Sequence, residues 1–261
     1  MKNKLPTVAR HSTRHYYERH LGFASFLTMK PRILLVNPPV CDFTAHDFWL
    51  KPYGLLEVAG FLRGRADMKL FDYLDRTRMP GSDQNKDKWG RGKYFSEEIC
   101  KPAVFNDIRR RYHRFGLKRE MFRKFVSGNG PFYFALIQTV MTYWYPGVKE
   151  VIDDIRSISP QTKIVVGGSY ATLCPRHAES LGADLVVRGA ELAPLWKMLS
   201  LEPDTRQPAF WQGYWELETG AIRLSDGCPF SCTYCSVPVV YPPFAPRAPE
   251  RCIHEFDLME S

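Results

Sequence analysis

Arg32 to Asn37 reads RILLVN, a continuous apolar run of strand length that stops at Pro38-Pro39. Unbroken runs of this kind suit a parallel strand covered on both faces. The period then changes. Leu55, Leu56, Val58, Ala59 and Leu62 recur at helical spacing between Tyr53 and Arg63, with Pro52 near the start. Met68 to Tyr73 (MKLFDY) predicts a second strand, which makes the opening a strand–helix–strand unit.

Residues 76–130 interrupt that order. Asp83 to Lys93 is polar and reads as loop, and Asn106 to Phe125 predicts one or two basic helices. The alternation then resumes. Phe132 to Thr139 and Lys163 to Val166 predict strands on either side of a helix whose apolar positions are Val148, Val151, Ile152, Ile155 and Ile158. Pro175 to Leu181 predicts a short helix stopped by Gly182. Asp184 to Arg188 predicts a fifth strand, and Glu191 to Leu199 a closing helix. Five strands with interleaved helices imply an open, doubly wound parallel α/β sheet, with ligands beyond the carboxyl ends of its strands. Residues 200–221 read as a linker with a hairpin-like element, and a new unit starts near Ile222.

Composition excludes several classes. Hydrophobic residues make up 44% of the 261, so the chain is neither disordered nor collagen-like, and no apolar run approaches bilayer length. The basic stretch Met1–His20 and apolar Leu21–Met29 are followed by Lys30-Pro31-Arg32, which does not fit a secretory cleavage site. The net charge of +8 is unevenly placed. Residues 1–30 carry six Lys/Arg against one acid, and residues 76–130 carry fifteen against six. The remaining, more regular regions are mildly acidic. A basic segment can meet nucleic acid, but a solvated surface is the preferred reading here, and no membrane partner is expected.

Seven cysteines form an odd, sparse set that suits a reducing cytoplasm better than a disulfide framework. Cys41, Cys100 and Cys174 stand alone and are expected as buried thiols. Three others lie in Asp226-Gly-Cys228-Pro-Phe-Ser-Cys232-Thr-Tyr-Cys235. Structural zinc sites and ordinary iron–sulfur clusters close with four ligands. Three local cysteines leave one iron open for a small molecule. A zinc site completed by Cys252 or His254 is the competing reading.

The CxxxCxxC spacing resembles the radical S-adenosylmethionine superfamily, as do Gly227-Cys228-Pro229-Phe230, Tyr234 before the third cysteine, and Arg247–Phe256. The resemblance implies a [4Fe–4S] cluster on Cys228, Cys232 and Cys235. It also implies S-adenosylmethionine on the open iron, with Tyr234 nearby, and reductive cleavage to a 5′-deoxyadenosyl radical. An electron donor such as flavodoxin or ferredoxin would be needed, and the substrate is unknown.

Residues 31–199 resemble the Rossmann-like cobalamin-binding domain that precedes the radical domain in one subgroup. Within that subgroup, Met141–Gly147, Gly167–Pro175, Gly92–Tyr94 and Arg110–Gly116 resemble segments of one family whose substrate is unassigned. The resemblance implies cobalamin contacts from Thr142, Tyr143, Gly167, Gly168, Ser169 and Gly189. The DxHxxG motif is absent, so cobalamin would have no lower His ligand from it. At Arg188-Gly-Ala-Glu191 the usual subgroup pattern is closer to Gly-Glu-Gly-Glu. Only 26 residues follow Cys235, whereas six barrel units at about 31 residues each need ~190. The expectation is therefore an extension (1–30), a cobalamin domain with a basic insertion (31–199), a linker (200–221) and the start of a truncated, incomplete (β/α) radical barrel (222–261). Whether such a chain is catalytic is open. A non-catalytic cobalamin- or zinc-binding protein is the alternative.

Overall fold

Five strands form the central sheet: β1 (Arg32–Asn37), β2 (Asp67–Asp72), β3 (Phe134–Thr139), β4 (Lys163–Gly168) and β5 (Leu185–Val187). All neighbours are parallel and the order is β2-β1-β3-β4-β5. The helices are α1 (Tyr53–Phe61), α2 (Arg119–Asn129), α3 (Tyr145–Ile158), α4 (Ser169–Leu173), α5 (Pro175–Ser180), α6 (Ala193–Leu199), α7 (Val237–Val240) and α8 (Pro249–Glu260). The computed structural model describes residues 30–47, 51–78 and 87–260, and residues 31–261 form one compact unit. The basic extension before Lys30 and the start of the loop at 83–86 lie outside the described residues.

The unbroken apolar runs feed two cores. In β1, Leu34 and Val36 pack with Phe122 and Val126 of α2 and with Val151, Ile152 and Ile155 of α3. Ile33 and Leu35 point the other way, to Leu56 and Ala59 of α1 and Leu195 and Leu199 of α6. Neighbouring strands repeat the alternation in register, with Leu35 beside both Leu70 and Leu136. Each strand therefore buries both faces, so period-2 polarity is missing from its sequence.

Two expectations are corrected. Asn106 to Phe125 is helical only from Arg119; before it, His113–Phe115 joins Val40–Asp42 and Ser96–Glu98 in a three-stranded antiparallel sheet. Tertiary pairing overrides a weak helical period there: the Tyr112 hydroxyl donates to the Cys41 carbonyl at 2.9 Å, and Arg114 is buried against Glu150. The hairpin near 200–222 is also absent from the described residues. This segment straps α1, with Asp204 N donating to Phe61 O and Phe210 N to Leu56 O. It buries Ala209, Trp211 and Tyr214 in the α1 core.

Part of the basic segment is internally neutralised. Arg114 forks onto Glu150, while Arg119 and Arg123 share the fully buried Asp154. Arg109, Arg110 and Arg111 remain exposed. Among the described residues, no helix is long and apolar enough to cross a membrane.

Candidate functional site

The strand order reverses between β1 and β3, because the chain leaves β1 towards β2 and returns to build β3, β4 and β5 on the other side. Such a reversal leaves a crevice at the carboxyl ends of the strands. A cavity of about 700 Å³ occupies that crevice. Its floor comes from the strand ends: Asn37 to Pro39 at the end of β1, Gln138 to Met141 at the end of β3, Gly167 to Ser169 at the end of β4, and Gly189 after β5. Tyr53, Glu57 and Val58 of α1 form one wall. The opposite wall comes from far along the chain, through Arg223, Asp226, Val240 and Arg247. The volume falls within the range of small-molecule sites.

The strand ends are held by two threonines. Thr139 Oγ1 donates to Gly167 O at 2.9 Å and accepts from Ala171 N at 3.1 Å. Thr172 Oγ1 donates to Gly168 O at 2.8 Å and accepts from Gly189 N at 2.8 Å. Gln138 Oε1 accepts from Leu55 N, tying the first turn of α1 to β3. Beside the floor, the buried Asp72 accepts from Asn37 Nδ2 at 2.7 Å, Leu74 N at 2.8 Å and the Tyr214 hydroxyl at 2.6 Å. Burial holds the Asp72 carboxyl above its usual range; the Lys51 charge and those three bonds oppose that rise without cancelling it. Burial and the Asp72 charge push the Tyr214 phenol upward. Lys51 lines the cavity with its ammonium 4.5 Å from the Tyr214 ring centre.

Of the expected cofactor contacts, Gly167, Gly168, Ser169 and Gly189 line the cavity. Thr142 and Tyr143 sit on the adjoining turn Thr142–Trp144, exposed and outside the lining. Their neighbours Met141 and Trp144 take the lining positions, and Trp144 Nε1 is fixed by a 2.8 Å bond to Asp42 Oδ2. Tyr234 is 90% exposed and also outside it. The glycine at 168 is required by the fold itself. Its φ is +110°, and a Cβ there would lie 2.1 Å from the Thr139 carbonyl oxygen, so the demand comes from the neighbouring strand end. Sequence reading missed Asn37, Gln138, Tyr53 and Glu57; position at a strand end, the signal for the first two, does not mark α1.

The cysteine loop leaves the cavity wall at Asp226 and returns to it at Val240. All three thiols are free: Cys228 and Cys235 are half-buried and Cys232 is exposed. A turn closes between the last two, with Cys235 N donating to Cys232 O at 3.0 Å. Among the described residues, no three His, Cys, Asp or Glu side chains gather closely enough to hold a metal ion. The donor chemistry fits an iron–sulfur cluster, which takes cysteine thiolates as ligands, and the loop carries three free thiols. Cys100, expected buried, is exposed, because it lies on an edge loop outside both cores. Cys41 is buried as expected and Cys174 is half-buried.

No family model matches the chain. It is 28% identical over 122 residues to the threonylcarbamoyladenosine tRNA methylthiotransferase MtaB of Thermotoga maritima, a match covering 42% of this chain and 28% of that protein. Its fold is similar to two structures of the radical S-adenosylmethionine methyltransferase TsrM from Kitasatospora setae. One has tryptophan and an aza analogue of S-adenosylmethionine bound (TM-score 0.53, 14% identity, 88% of this chain and 45% of that one). The other has cobalamin and a [4Fe–4S] cluster bound (TM-score 0.54, 15% identity, 88% and 47%). The chain thus spans about half the length of TsrM and just over a quarter of MtaB.

Proposed function

We propose that this chain is the cobalamin-binding domain and the opening of the iron–sulfur domain of a radical S-adenosylmethionine enzyme that transfers a methyl or methylthio group to an unidentified substrate. The observation that carries the reading is the bracketing of the cysteine loop by two cavity-lining residues, Asp226 and Val240. It supports a cluster site next to the crevice, because a doubly wound sheet binds its cofactor at the carboxyl ends of its strands. The likeness to TsrM and MtaB supports the same reading, and it adds the methyl and methylthio chemistry of those two proteins.

Cys228, Cys232 and Cys235 would hold the cluster, and Gly167, Ser169, Gly189 and Trp144 would flank cobalamin. A [4Fe–4S] cluster with one open iron supplies the electron that cleaves S-adenosylmethionine reductively. The chain's own part is placement. Three ligands on one loop would leave a fourth iron site free for S-adenosylmethionine. Thr139 and Thr172 tie the strand ends of the floor together, and Val58, Leu136 and Val165 contribute apolar lining. A flavodoxin or ferredoxin would be the electron donor, in a reducing cytoplasm suited to seven free cysteines.

The test is the low-temperature electron paramagnetic resonance spectrum of the anaerobically reconstituted, dithionite-reduced chain, with and without S-adenosylmethionine. A reduced-cluster signal that shifts on adding the ligand is expected. Zinc in place of iron in the metal analysis would overturn the reading.

A further inference from the structure

We propose that Arg247 is a positioning residue for the first cysteine of the motif: it clamps the cavity-lining Asp226 to Glu57 of α1 and so sets the position of Cys228 two residues on. The inference rests on the cluster reading above and adds to it the device that registers the cysteine loop against the sheet.

The side chain of Arg247 is only 8% exposed. Nη2 lies 2.7 Å from Asp226 Oδ1 and 2.6 Å from Glu57 Oε1, Nε lies 3.3 Å from Asp226 Oδ2, and Nη1 donates to the Tyr53 hydroxyl at 3.2 Å. Every nitrogen of the guanidinium is engaged, and only a planar fork reaches three partners at once. The backbone reinforces the grip. Ser225–Asp226 pairs antiparallel with Ala245–Pro246, and Arg247 N donates to Leu224 O at 2.9 Å.

Two further arginines share the carboxylates: Arg251 Nη2 lies 3.6 Å from Glu57 Oε1, and Arg223 Nη1 lies 3.4 Å from Asp226 Oδ1. Arg223 Nη1 reaches Glu57 Oε2 at 3.1 Å, with its guanidinium 4.7 Å from the Tyr53 ring centre. The Tyr53 hydroxyl donates to Glu255 Oε2 at 2.9 Å, and Trp211 Nε1 donates to Glu255 Oε1 at 3.1 Å. Removing Arg247 leaves Asp226 with only the 3.4 Å contact to Arg223, so its hold on α1 weakens.

One residue separates the clamp from the cysteine. Gly227 has φ +60°, and a Cβ on it would lie 2.3 Å from the Pro242 carbonyl oxygen. The chain therefore has little slack between Asp226 and Cys228. A displacement of Asp226 passes directly to the thiol, whereas Cys232, exposed on the outer turn, has no such tether.

Three cysteines make the test internal. Cys100 is exposed and reports intrinsic thiol reactivity. Cys41 is 3% exposed; burial, with the Glu150 charge, pushes its thiol up to about 12, so it reports core integrity. The measurement is the alkylation rate of each cysteine by iodoacetamide in the iron-free chain, read by mass spectrometry. In Arg247→Gln and in the isosteric Glu57→Gln, Cys228 should react about tenfold faster relative to Cys100, through local opening of the loop. Cys41 should stay protected, and Arg247→Lys should recover part of the slow rate. An unchanged Cys228 rate in both glutamine variants would overturn the proposal. So would equal deprotection of Cys41 in both, which would make the cluster of charges a global folding determinant. The assay needs no cofactor, so a chain that takes up no iron sinks the cluster reading while leaving the clamp to be judged by these rates.

Discussion

Gly168 joins a strand end to a helix start in a conformation that L residues rarely adopt, with the Thr139 carbonyl where a side chain would begin. Gly168→Ala should therefore cost about 3 kcal/mol, combining backbone strain with a backbone clash. The check is the urea midpoint at constant slope; an unchanged midpoint would remove the steric argument. At this scale the sequence was informative about which residues matter and less so about why. The glycine pair follows the apolar run of β4 in the sequence, but the atom that Gly168 must avoid belongs to a residue 29 positions earlier. Thr142 and Tyr143 show the converse: the right turn was legible, yet the turn aims Met141 and Trp144 at the cavity instead.

Between elements, the buried and half-buried carboxylates act as joints. Asp184, just before β5, accepts from Ile164 N of β4 at 2.8 Å and from Arg156 Nη2 of α3 at 2.6 Å, with Lys163 Nζ at 3.2 Å. Burial alone would raise its carboxyl, but those bonds and the Arg156 charge outweigh it and hold it below the ordinary value. A depressed folded value means stability that is present above about pH 4, the range of a free aspartate, and lost as pH falls through the folded value. Asp184→Asn should lower stability by about 1–2 kcal/mol at pH 7. Thermal midpoints at pH 7 and pH 3 check this: the gap between parent and variant should narrow at the lower pH. Periodicity located this strand and its neighbours because their core positions are local. It missed the sheet of Val40–Asp42, Ser96–Glu98 and His113–Phe115, whose three-residue strands carry too few side chains to show a period.

For the whole molecule, the two proposed cofactor sites use separate ligands on one compact unit. Cys232→Ser should abolish iron uptake while hydroxocobalamin stays bound through gel filtration, followed by its visible absorption. Loss of both together would mean that the crevice is not an independent site. The basic segment also takes its meaning at this scale. Three of its arginines are matched by Glu150 and Asp154 of α3, which favours a structural role for that part of the charge and leaves Arg109 to Arg111 on the surface.

The sequence by itself determined the parallel α/β sheet, the helices α1, α3, α5 and α6, and the three-cysteine spacing. Each depends on residues within a few positions of one another, where apolar period and ligand spacing can be read directly. The tertiary structure alone decided the reversal between β1 and β3, the packing of residues 200–221 under α1, and the meeting of Glu57 with Arg247 across 190 positions. Those features arise when the two cores close and buried charges must find partners, and no local pattern encodes which partner will be in reach.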